Sequence, residues 1–290
     1  MSLLGIDLGT TGCKAVVFDE AGKILSSAYR EYPLHFPQTG WIELDSNRVM
    51  ASVRDVIREA AGKSKKDPVR ALAVASQGEA VTPVSADGKF LHNSIVTFDA
   101  RTAPLVGWWE ERLSRQRIFE ISGMPLHGMY TASKILWWKQ HRPEVFAKAA
   151  RFLCFQDLLI QRLGLEPAID LSLAARTMLL DIEKGTWSDE LCGVAGIDPK
   201  TLAKPMPAGS VIGEIPAKAA KAFGLPAGVV AVTGGHDQPC GALGAGVVED
   251  GVGTYATGTV ECITPAFRKR VVDPRLLQNN IACYPHVVPG

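Results

Sequence analysis

Apolar and polar residues near the start of the chain alternate with the period of β-strands. The runs LLGID and CKAVVFDE flank a turn, LGTTG, and a second turn, EAGK, leads into the run ILSSAYR. This pattern predicts three strands joined by two tight turns. From Asp45 or Ser46 the period becomes helical, because Val49, Val53 and further apolar residues fall on one helix face, and Gly62 suits the end of that helix.

Strand and helix patterns then alternate along the rest of the chain. RALAVAS (70–76) predicts a strand that breaks at Gln77-Gly78-Glu79, and AGVVAVTGG (227–235) predicts a strand that leads through a glycine turn into a helix from Asp237 to Gly246. The remaining predictions are a hairpin turning at Asp87-Gly88, strands at 94–98 and 177–182, mainly helical structure over 104–164, helices at 188–196 and 216–224, and two strands around the Gly/Thr turn of GTYATGTVECITPAF. Together these elements predict an α/β fold with a mixed sheet and flanking helices.

Composition and charge remove several functional classes. The chain is 47% hydrophobic and 21% charged with a net charge of +1, which gives no electrostatic reason to expect nucleic acid or a membrane as partner. No stretch reaches the roughly 18 uninterrupted apolar residues of a membrane span, and MSLLGID predicts no signal peptide. The six cysteines lie far apart, without CxxC or a Cys/His cluster, so we expect free thiols, no zinc and a cytoplasmic location.

The opening turn combines a carboxylate with glycines and threonines. Backbone N–H groups of a tight Gly/Thr turn can form an anion-binding nest, and a neighbouring carboxylate suits it only if a divalent cation lies between the two. Asp7, Gly9, Thr10, Thr11 and Lys14 therefore suit a site for Mg²⁺ and a triphosphate. It is not a P-loop, because GK[ST] is missing and a strand follows. On spacing alone, a plain hairpin with a satisfied Asp7 stays open.

Asp237 lies between a strand with its glycine turn and a helix, in VTGGHDQPCGALGAG. We expect it to be the N-cap, since Pro239 fits the first helical turn. A helix N-terminus favours the ionised carboxylate, which could accept a proton at neutral pH. A capping role without chemistry stays open on spacing alone, and His236 is expected to be structural.

Gln77 and Glu79 follow directly after a predicted strand. Open α/β sheets bind ligands at the carboxyl ends of their strands, so both side chains are candidates for hydrogen-bonding a polyhydroxyl ligand. Glu79 could equally be a solvated loop residue. Asp99 and Arg101, after SIVTF, belong to the same class of candidates and could simply pair with each other.

The ordered set of these stretches resembles the FGGY carbohydrate kinases, a branch of the actin, hexokinase and heat-shock chaperone ATPase superfamily. The resemblance rests on GIDLGTTGCKAVVFDEAGK, SQGE, IVTFDAR, DLSLAARTMLLDI with WSDEL, and GGHDQPCGALGAG followed by ATGTVE. It implies an actin-like, ribonuclease H-like ATPase fold and the first lobe of a two-lobed kinase. It further implies that ATP, with Mg²⁺, phosphorylates a hydroxyl of a sugar or polyol, chiefly through positioning and charge neutralisation.

The resemblance also assigns roles to residues of this chain. Asp237 would be the general base and Asp7 would hold Mg²⁺ through water. The residues that would contact phosphate are Gly9, Thr10, Thr11 and Lys14, with Gly258 and Thr259 as a second phosphate loop. Those that would bind sugar hydroxyls are Gln77, Glu79, Asp237 and Gln238, with Tyr130 as a wall of the pocket.

Two departures from the family pattern limit what the resemblance implies. Glycerol kinases carry Arg where this chain has Gly78, and xylulose kinases usually carry Met-His where it has Gly-Glu, so the sugar is open, with a ketopentose such as xylulose or a related sugar favoured. Family members are also about twice as long. We therefore expect an N-terminal fragment, with residues 1–246 as the sugar- and phosphate-binding domain and 247–290 as the start of the nucleotide domain.

Three questions stay open at the level of sequence. A non-enzymatic nucleotide switch of actin-like or chaperone-like type needs the opening turn but has no use for sugar-facing residues such as Glu79. A sugar-binding relative that has lost phosphoryl transfer would keep both. The oligomeric state is open as well, with a homodimer as one candidate, and this chain alone is expected to bind sugar better than it transfers phosphate.

Overall fold

The computed structural model of the chain describes residues 1–257 and 261–289. The strands are β1 (Ser2–Leu8), β2 (Gly12–Asp19), β3 (Ile24–Glu31), β4 (Glu43–Leu44), β5 (Val69–Ser76), β6 (Thr82–Val84), β7 (Ser94–Ile95), β8 (Arg151–Leu153), β9 (Ala168–Asp170), β10 (Leu180–Asp181), β11 (Thr186–Trp187), β12 (Lys204–Met206), β13 (Val211–Glu214), β14 (Val230–His236), β15 (Gly253–Ala256) and β16 (Cys262–Pro265). The helices are α1 (Ser46–Lys63), α2 (Leu105–Glu110), α3 (Arg115–Ser122), α4 (Thr131–His141), α5 (Pro143–Lys148), α6 (Phe155–Arg162), α7 (Leu171–Ala175), α8 (Asp189–Ala195), α9 (Ala217–Ala222), α10 (Asp237–Gly244) and α11 (Pro274–Gln278), with a 3₁₀ turn at Pro199–Thr201.

Six strands form the main sheet in the order β13-β14-β5-β1-β2-β3. The three central strands β14, β5 and β1 run parallel, whereas β2, β3 and β13 pair antiparallel with their neighbours. Ser76 at the end of β5 is in register with Leu8 of β1 and with His236 of β14. The mixed α/β sheet predicted from the sequence is confirmed, and three parallel strands end together at one edge.

Helix α1 follows the predicted pattern at its start and differs at its end. Asp45 is the N-cap, and its carboxylate accepts hydrogen bonds from the backbone N–H groups of Asn47 and Arg48. The apolar face packs on β2 and β3. The prediction that Gly62 ends the helix is wrong, because the helix continues to Lys63 and Ser64 is the C-cap. A glycine with helical φ can extend a helix at a modest cost.

Short strands depart most from the sequence predictions. The turn at Asp87-Gly88 forms, but β6 pairs with β8 and bridges back to the hairpin only at Val84 and Phe90. The strands predicted at 94–98 and 177–182 shrink to Ser94–Ile95 and Leu180–Asp181. Tertiary partners, which a local pattern does not contain, determine where these strands begin and end.

Helices α6, α7 and α10 pack on the central strands β5 and β14. All six cysteines are free thiols, as expected, and Cys13, Cys154 and Cys192 are buried. Among the described helices, none has the length and apolar character needed to span a membrane. Exposed large apolar side chains concentrate after Leu243, at Val248, Val252, Tyr255, Ile263, Phe267, Val272, Ile281 and Val288.

Candidate active site

The carboxyl edge of the central strands brings together the acidic residues singled out in the sequence. Asp7 is the penultimate residue of β1, Glu79 lies three residues beyond β5, and Asp237 follows β14 directly. Because β1, β5 and β14 are parallel neighbours, residues separated by more than 150 positions meet at one edge.

The turn between β1 and β2 is held by side chains from outside it. The amide Nε2 of Gln77 donates to the carbonyl of Gly9 at 2.9 Å, and the hydroxyl of Thr10 donates to Oε1 of Gln77 at 3.2 Å. The Tyr32 hydroxyl lies 2.7 Å from the Gly9 carbonyl oxygen and 2.9 Å from that of Gly12. These contacts fix the backbone of the turn, so its exposed groups are positioned before any ligand arrives.

Gly12 and Lys14 show how β2 shapes this turn. A Cβ on Gly12 would lie 2.6 Å from the Tyr29 hydroxyl oxygen and 2.7 Å from the carbonyl oxygen of Arg30, so only glycine fits there. Lys14 is exposed and is the register partner of Asp7 on β1. The cationic side chain thus lies beside the carboxylate, at the open side of the turn.

Asp7 is exposed at the sheet edge beside Lys14. Neighbouring protein atoms desolvate its carboxyl group and raise its pKa, and the charge of Lys14 opposes this effect. Asp7 is close enough to Asp237 for its charge to raise the pKa of that second carboxyl group. Within 1–257 and 261–289, no group of three or more His, Cys, Asp or Glu side chains could hold a metal ion alone. Mg²⁺ that shares its coordination with phosphate and water needs only one or two carboxylates, which these residues can supply.

Glu79 is buried in a backbone conformation that only a well-supported residue adopts. It is 2% exposed and has a φ of 62°, in the left-handed region that non-glycine residues rarely enter. Its carbonyl accepts hydrogen bonds from the Thr131 hydroxyl at 3.1 Å and from the buried Lys134 ammonium at 3.0 Å. Burial lowers the pKa of Lys134 to about 8. These contacts hold the strained backbone in place.

The carboxylate of Glu79 is fixed on both sides. One oxygen pairs with Nε and Nη2 of Arg176, and the other accepts a hydrogen bond from the Thr97 hydroxyl at 2.8 Å. Burial raises the pKa of Glu79, but the positive charge of Arg176, together with Lys134 and the hydrogen bond from Thr97, outweighs it, and the pKa lies below its usual range. Glu79 is therefore an ionised carboxylate with a fixed orientation at this edge of the sheet.

Arg176 is a component of the site that sequence reasoning missed. It is the C-cap of α7, and its guanidinium lies 5.2 Å from the ring centroid of Tyr130 and 5.6 Å from that of Tyr284. It belongs to the stretch DLSLAARTMLLDI, but nothing in its local pattern indicates a partner 97 residues away. A guanidinium between two aromatic rings and a carboxylate is held rigidly.

Asp237 lies one position further into the helix than predicted. The N-cap is His236, whereas Asp237 is the first residue of α10. The expected N-cap assignment is wrong because β14 continues through Gly234 and Gly235 to His236. Burial and, next, the charge of Asp7 raise the pKa of Asp237 to about 7. Its buried Oδ1 has no hydrogen-bond partner in the described part of the chain.

His236 supports the site as a neutral ring. Burial lowers its pKa to about 3, so the 3.1 Å approach of Nε2 to Oδ1 of Asp237 is a contact with an uncharged ring and not an ion pair. A Cβ on Gly78 would lie 2.8 Å from Nε2 of His236 and 3.5 Å from Nε of Arg176. The His236 ring and the Arg176 guanidinium therefore already fill the space that a side chain at Gly78 would need.

The remaining candidates are placed as follows. Tyr130 is buried at the start of α4 with its ring against Arg176, and Gln238 is half-buried in the first turn of α10. Asp99 and Arg101 pair with each other, and Arg101 also pairs with Glu43. Gly258 and Thr259, expected to form a second phosphate loop, lie outside the described residues.

Residues near the end of the chain cover this edge. The Cys283 backbone N–H donates to the Gly123 carbonyl at 2.9 Å. The Tyr284 hydroxyl lies 3.5 Å from Nδ1 of His236, and Val287 packs where a Cβ on Gly235 would project. Tyr284 was not anticipated from the sequence, because its place in the site depends on the chain returning across the sheet edge.

Comparison with known proteins identifies the type of protein to which this edge belongs. The family model for the FGGY family of carbohydrate kinases, N-terminal domain, matches residues 2–244. The chain is 30% identical over 256 residues to a xylulose kinase of Escherichia coli K12, covering 88% of this chain and 52% of that protein. It is 32% identical over 285 residues to a glycerol kinase of Cereibacter sphaeroides KD131, covering 95% of this chain and 57% of that protein.

A solved xylulose kinase structure from Rhodospirillum rubrum superposes with a TM-score of 0.93 at 26% identity, over 100% of this chain and 59% of that one. The mixed sheet with flanking helices is consistent with the first lobe of the actin-like ATPase fold, as expected. The chain spans about half the length of the curated relatives it matches. On the strength of the match over residues 2–244, the chain belongs to the FGGY family of carbohydrate kinases.

Proposed function

We propose that the protein containing this chain transfers the terminal phosphoryl group of ATP to a hydroxyl group of a sugar or polyol. The observation that carries the proposal is the carboxyl group of Asp237, which is one-third exposed, pairs with no cation among the described residues and has its pKa raised to about 7 by burial and then by Asp7. It lies at the same sheet edge as an oriented carboxylate, Glu79, and a clamped Gly/Thr turn that begins at Gly9. A proton acceptor that shares one sheet edge with a hydroxyl-binding group and a phosphate-binding turn is the arrangement that phosphoryl transfer to an alcohol needs.

In this mechanism Asp237 acts as the general base. The acceptor hydroxyl donates its hydrogen bond to the carboxylate of Asp237, whose side chain is one-third exposed, the hydroxyl oxygen forms a bond to the γ-phosphorus of ATP, and the bond to the β–γ bridging oxygen breaks to release ADP. The proton passes from the hydroxyl to the carboxylate of Asp237. The pKa of about 7 means that both protonation states of this carboxyl group are accessible near neutral pH, as proton transfer requires.

The opening turn would meet the phosphates. Gly9, Thr10 and Thr11 would offer backbone and hydroxyl donors, and the exposed Lys14 would contribute positive charge. Asp7 would hold Mg²⁺ through water, and the bound ion would neutralise phosphate charge. Gly258 and Thr259 would act from the second lobe, as the family resemblance implies.

Glu79, Gln238 and Tyr130 would form the acceptor pocket, with Gln77 bridging it to the turn. Glu79 contributes an ionised acceptor, Gln238 a half-buried amide and Tyr130 an aromatic wall. Similarity to relatives called xylulose kinase and glycerol kinase favours a small polyhydroxyl acceptor. Among these we favour a ketopentose such as xylulose, or a related sugar.

We also propose that residues 1–246 form the sugar- and phosphate-binding domain and that residues 247–290 begin the nucleotide domain. The exposed apolar side chains after Leu243 support this division, because such a surface is normally covered in the folded protein. A cytoplasmic location and a homodimeric state stay predictions from the sequence.

Calorimetric titration of this chain with ketopentoses, ketohexoses, glycerol and other polyols tests the proposal. One saturable sugar is expected, and binding should be lost in Glu79→Gln but kept in the control Glu120→Gln, whose side chain is exposed on α3. A nucleotide switch would bind no sugar, even as the full-length protein. A sugar-binding relative without transfer would bind sugar, yet the full-length protein would form no sugar phosphate from ATP.

A further inference from the structure

Ser172 contacts the backbone at the point from which Asp237 projects. The backbone N–H of His236 donates to the hydroxyl oxygen of Ser172 at 2.9 Å. His236 is the last residue of β14 and the N-cap of α10, and Asp237 follows it directly. Ser172 and His236 are both buried, so water does not compete for this hydrogen bond. The bond therefore fixes the residue that precedes the proposed proton acceptor.

The end of β14 needs such a support because the strand is irregular just before it. Between Val232 and Gly235, β14 holds one residue more than β5 does in the facing stretch, which disrupts the ladder. A Cβ on Gly234 would collide with the carbonyl oxygen of Val74, and that oxygen accepts a hydrogen bond from the side-chain amide of Gln156 at 3.0 Å. Strand pairing alone therefore does not fix the direction in which β14 enters α10.

Ser172 is itself held in place by buried groups. The carboxylate of Asp170 caps α7 and accepts hydrogen bonds from the backbone N–H groups of Ser172 at 2.7 Å and Leu173 at 3.1 Å. The backbone N–H of Asp170 donates to Oε1 of Gln156 at 2.9 Å. One amide side chain thus links strand β5 to the start of α7. The hydroxyl group of Ser172 therefore reaches His236 from a fixed scaffold.

The same short helix also carries the partner of Glu79. Ser172 and Arg176 are four residues apart, a spacing that places them on one helix face. Arg176, at the end of α7, pairs with the carboxylate of Glu79, whereas Ser172, in the first turn, bonds to the start of α10. Helix α7 therefore connects the hydroxyl-binding carboxylate of the proposed site with the proton acceptor.

We propose that Ser172 is a positioning residue for the phosphoryl transfer, because its hydroxyl group fixes the orientation of the Asp237 carboxylate relative to Glu79. This inference rests on the proposed function, which makes Asp237 the general base. Ser172 is too deeply buried to contact the acceptor or the phosphates, so it acts only through the His236 N–H. A correctly oriented base speeds the transfer without strengthening sugar binding, whereas a purely structural serine would affect stability alone.

Steady-state kinetics and calorimetry of the full-length protein test this role. Ketopentoses, ketohexoses, glycerol and other polyols are assayed with ATP and Mg²⁺, and the acceptor with the highest turnover is used for every variant. Ser172→Ala removes the hydrogen-bond acceptor of His236, so turnover should fall by about 10–100-fold while sugar affinity changes by less than about threefold. Ser172→Thr keeps a hydroxyl group and should regain at least about a third of the parent's turnover.

Ser188→Ala is the matched control. The buried hydroxyl of Ser188 likewise accepts a hydrogen bond from a backbone N–H, that of Leu191 at 3.2 Å, but it caps α8. This variant should lose stability as Ser172→Ala does, while its turnover stays within about threefold of the parent's. Thermal unfolding shows which variants are folded at the assay temperature. If Ser172→Ala is not, Ser172→Cys takes its place, because its sulfur is only a weak acceptor.

The outcomes separate the positioning role from the function on which it rests. Parental turnover in folded Ser172→Ala, or parallel losses of turnover and sugar affinity, overturns the positioning role and leaves the proposed function intact. An equal loss of turnover in Ser188→Ala has the same consequence, and so does a folded Ser172→Thr that is as slow as Ser172→Ala. A parent protein that phosphorylates no sugar or polyol of the panel overturns the proposed function and the positioning role with it.

Discussion

The guanidinium of Arg176 donates to the same carboxylate oxygen of Glu79 through both Nε and Nη2, across 97 residues of sequence. Both side chains are largely removed from water, and the second oxygen of Glu79 accepts a hydrogen bond from Thr97. The pair therefore does two things at once. It neutralises a buried carboxylate, and it fixes the orientation of that carboxylate at the sheet edge.

Removal of one member of this pair should destabilise the fold strongly. Arg176→Gln leaves the charge of Glu79 buried without its partner, and we expect the free energy of unfolding to fall by about 3–5 kcal/mol. Urea unfolding of the variant and the parent chain measures this difference. The double variant Glu79→Gln/Arg176→Gln should recover a substantial part of the loss, because no uncompensated charge remains. Equal losses in the single and double variants would contradict a stabilising pair.

Gly78 should tolerate no side chain while His236 is present. A Cβ at this position would lie 2.8 Å from Nε2 and 3.1 Å from Cδ2 of the buried imidazole ring. We expect Gly78→Ala to lower the free energy of unfolding by about 1–3 kcal/mol, the usual cost of overpacking. In a His236→Ala background the same change should cost at least about 1 kcal/mol less. Purely additive losses in this mutant cycle would show that the ring is not the obstacle.

The sequence could predict the acidic residues of this site but not their supports. Asp7, Glu79 and Asp237 each follow a strand-like run closely, and parallel strands of one sheet end at one edge, so local patterns suffice to bring them together. Arg176 and Thr97 reach Glu79 only through the packing of distant segments. No periodicity within either segment encodes that contact.

The same difference between local pattern and distant packing explains why some predicted helix and strand boundaries are wrong. The Asp87-Gly88 turn is encoded locally and forms, whereas its flanking strand β6 takes β8 as its partner from 67 or more residues further along the chain. The shift of the N-cap from Asp237 to His236 arises because β14 pairs with β5 as far as His236, which keeps the glycines extended. Pairing partners, not residue preferences, fix both boundaries.

Gln77 should act on the phosphate turn more than on the sugar. In the described structure, the side-chain amide of Gln77 forms its hydrogen bonds with the Gly9 carbonyl and the Thr10 hydroxyl. We expect Gln77→Leu to lower the hydrogen-exchange protection of the Gly9–Gly12 amides by about tenfold, the effect of losing about 1.4 kcal/mol. Sugar affinity should change by less than about threefold, and the exposed Gln116→Leu should change neither. A larger loss of sugar affinity than of protection would make Gln77 a sugar ligand instead.

Asp237 should make stability depend on pH with a defined sign. Its carboxyl group has an ordinary pKa of 3.8, which we take for the unfolded chain. In the folded chain, burial and then the charge of Asp7 raise the pKa to about 7. The folded state thus binds the proton more tightly, and the associated stability is complete below about pH 4 and lost as pH rises to about 7. Asp237→Asn carries no such loss. The free energy of unfolding of this variant, relative to that of the parent chain, should therefore grow from pH 4 to 7 and then level off.

Urea unfolding at several pH values measures this difference in the free energy of unfolding. The control Asp55→Asn, on the exposed side of α1, should show no comparable rise. A constant difference at all pH values would contradict the raised pKa.

In the full-length protein, Asp237→Asn should separate binding from transfer. Asparagine keeps the size of the side chain and can still contact a hydroxyl, but it cannot accept the proton that the hydroxyl must lose. We expect turnover to fall by about 10²–10⁴-fold, the usual contribution of a positioned general base, while sugar affinity changes by less than about fivefold. Steady-state kinetics together with calorimetry of the same preparation gives both quantities. Normal turnover would remove Asp237 from the mechanism, and a parallel loss of sugar affinity would show that the carboxylate binds the acceptor without activating it.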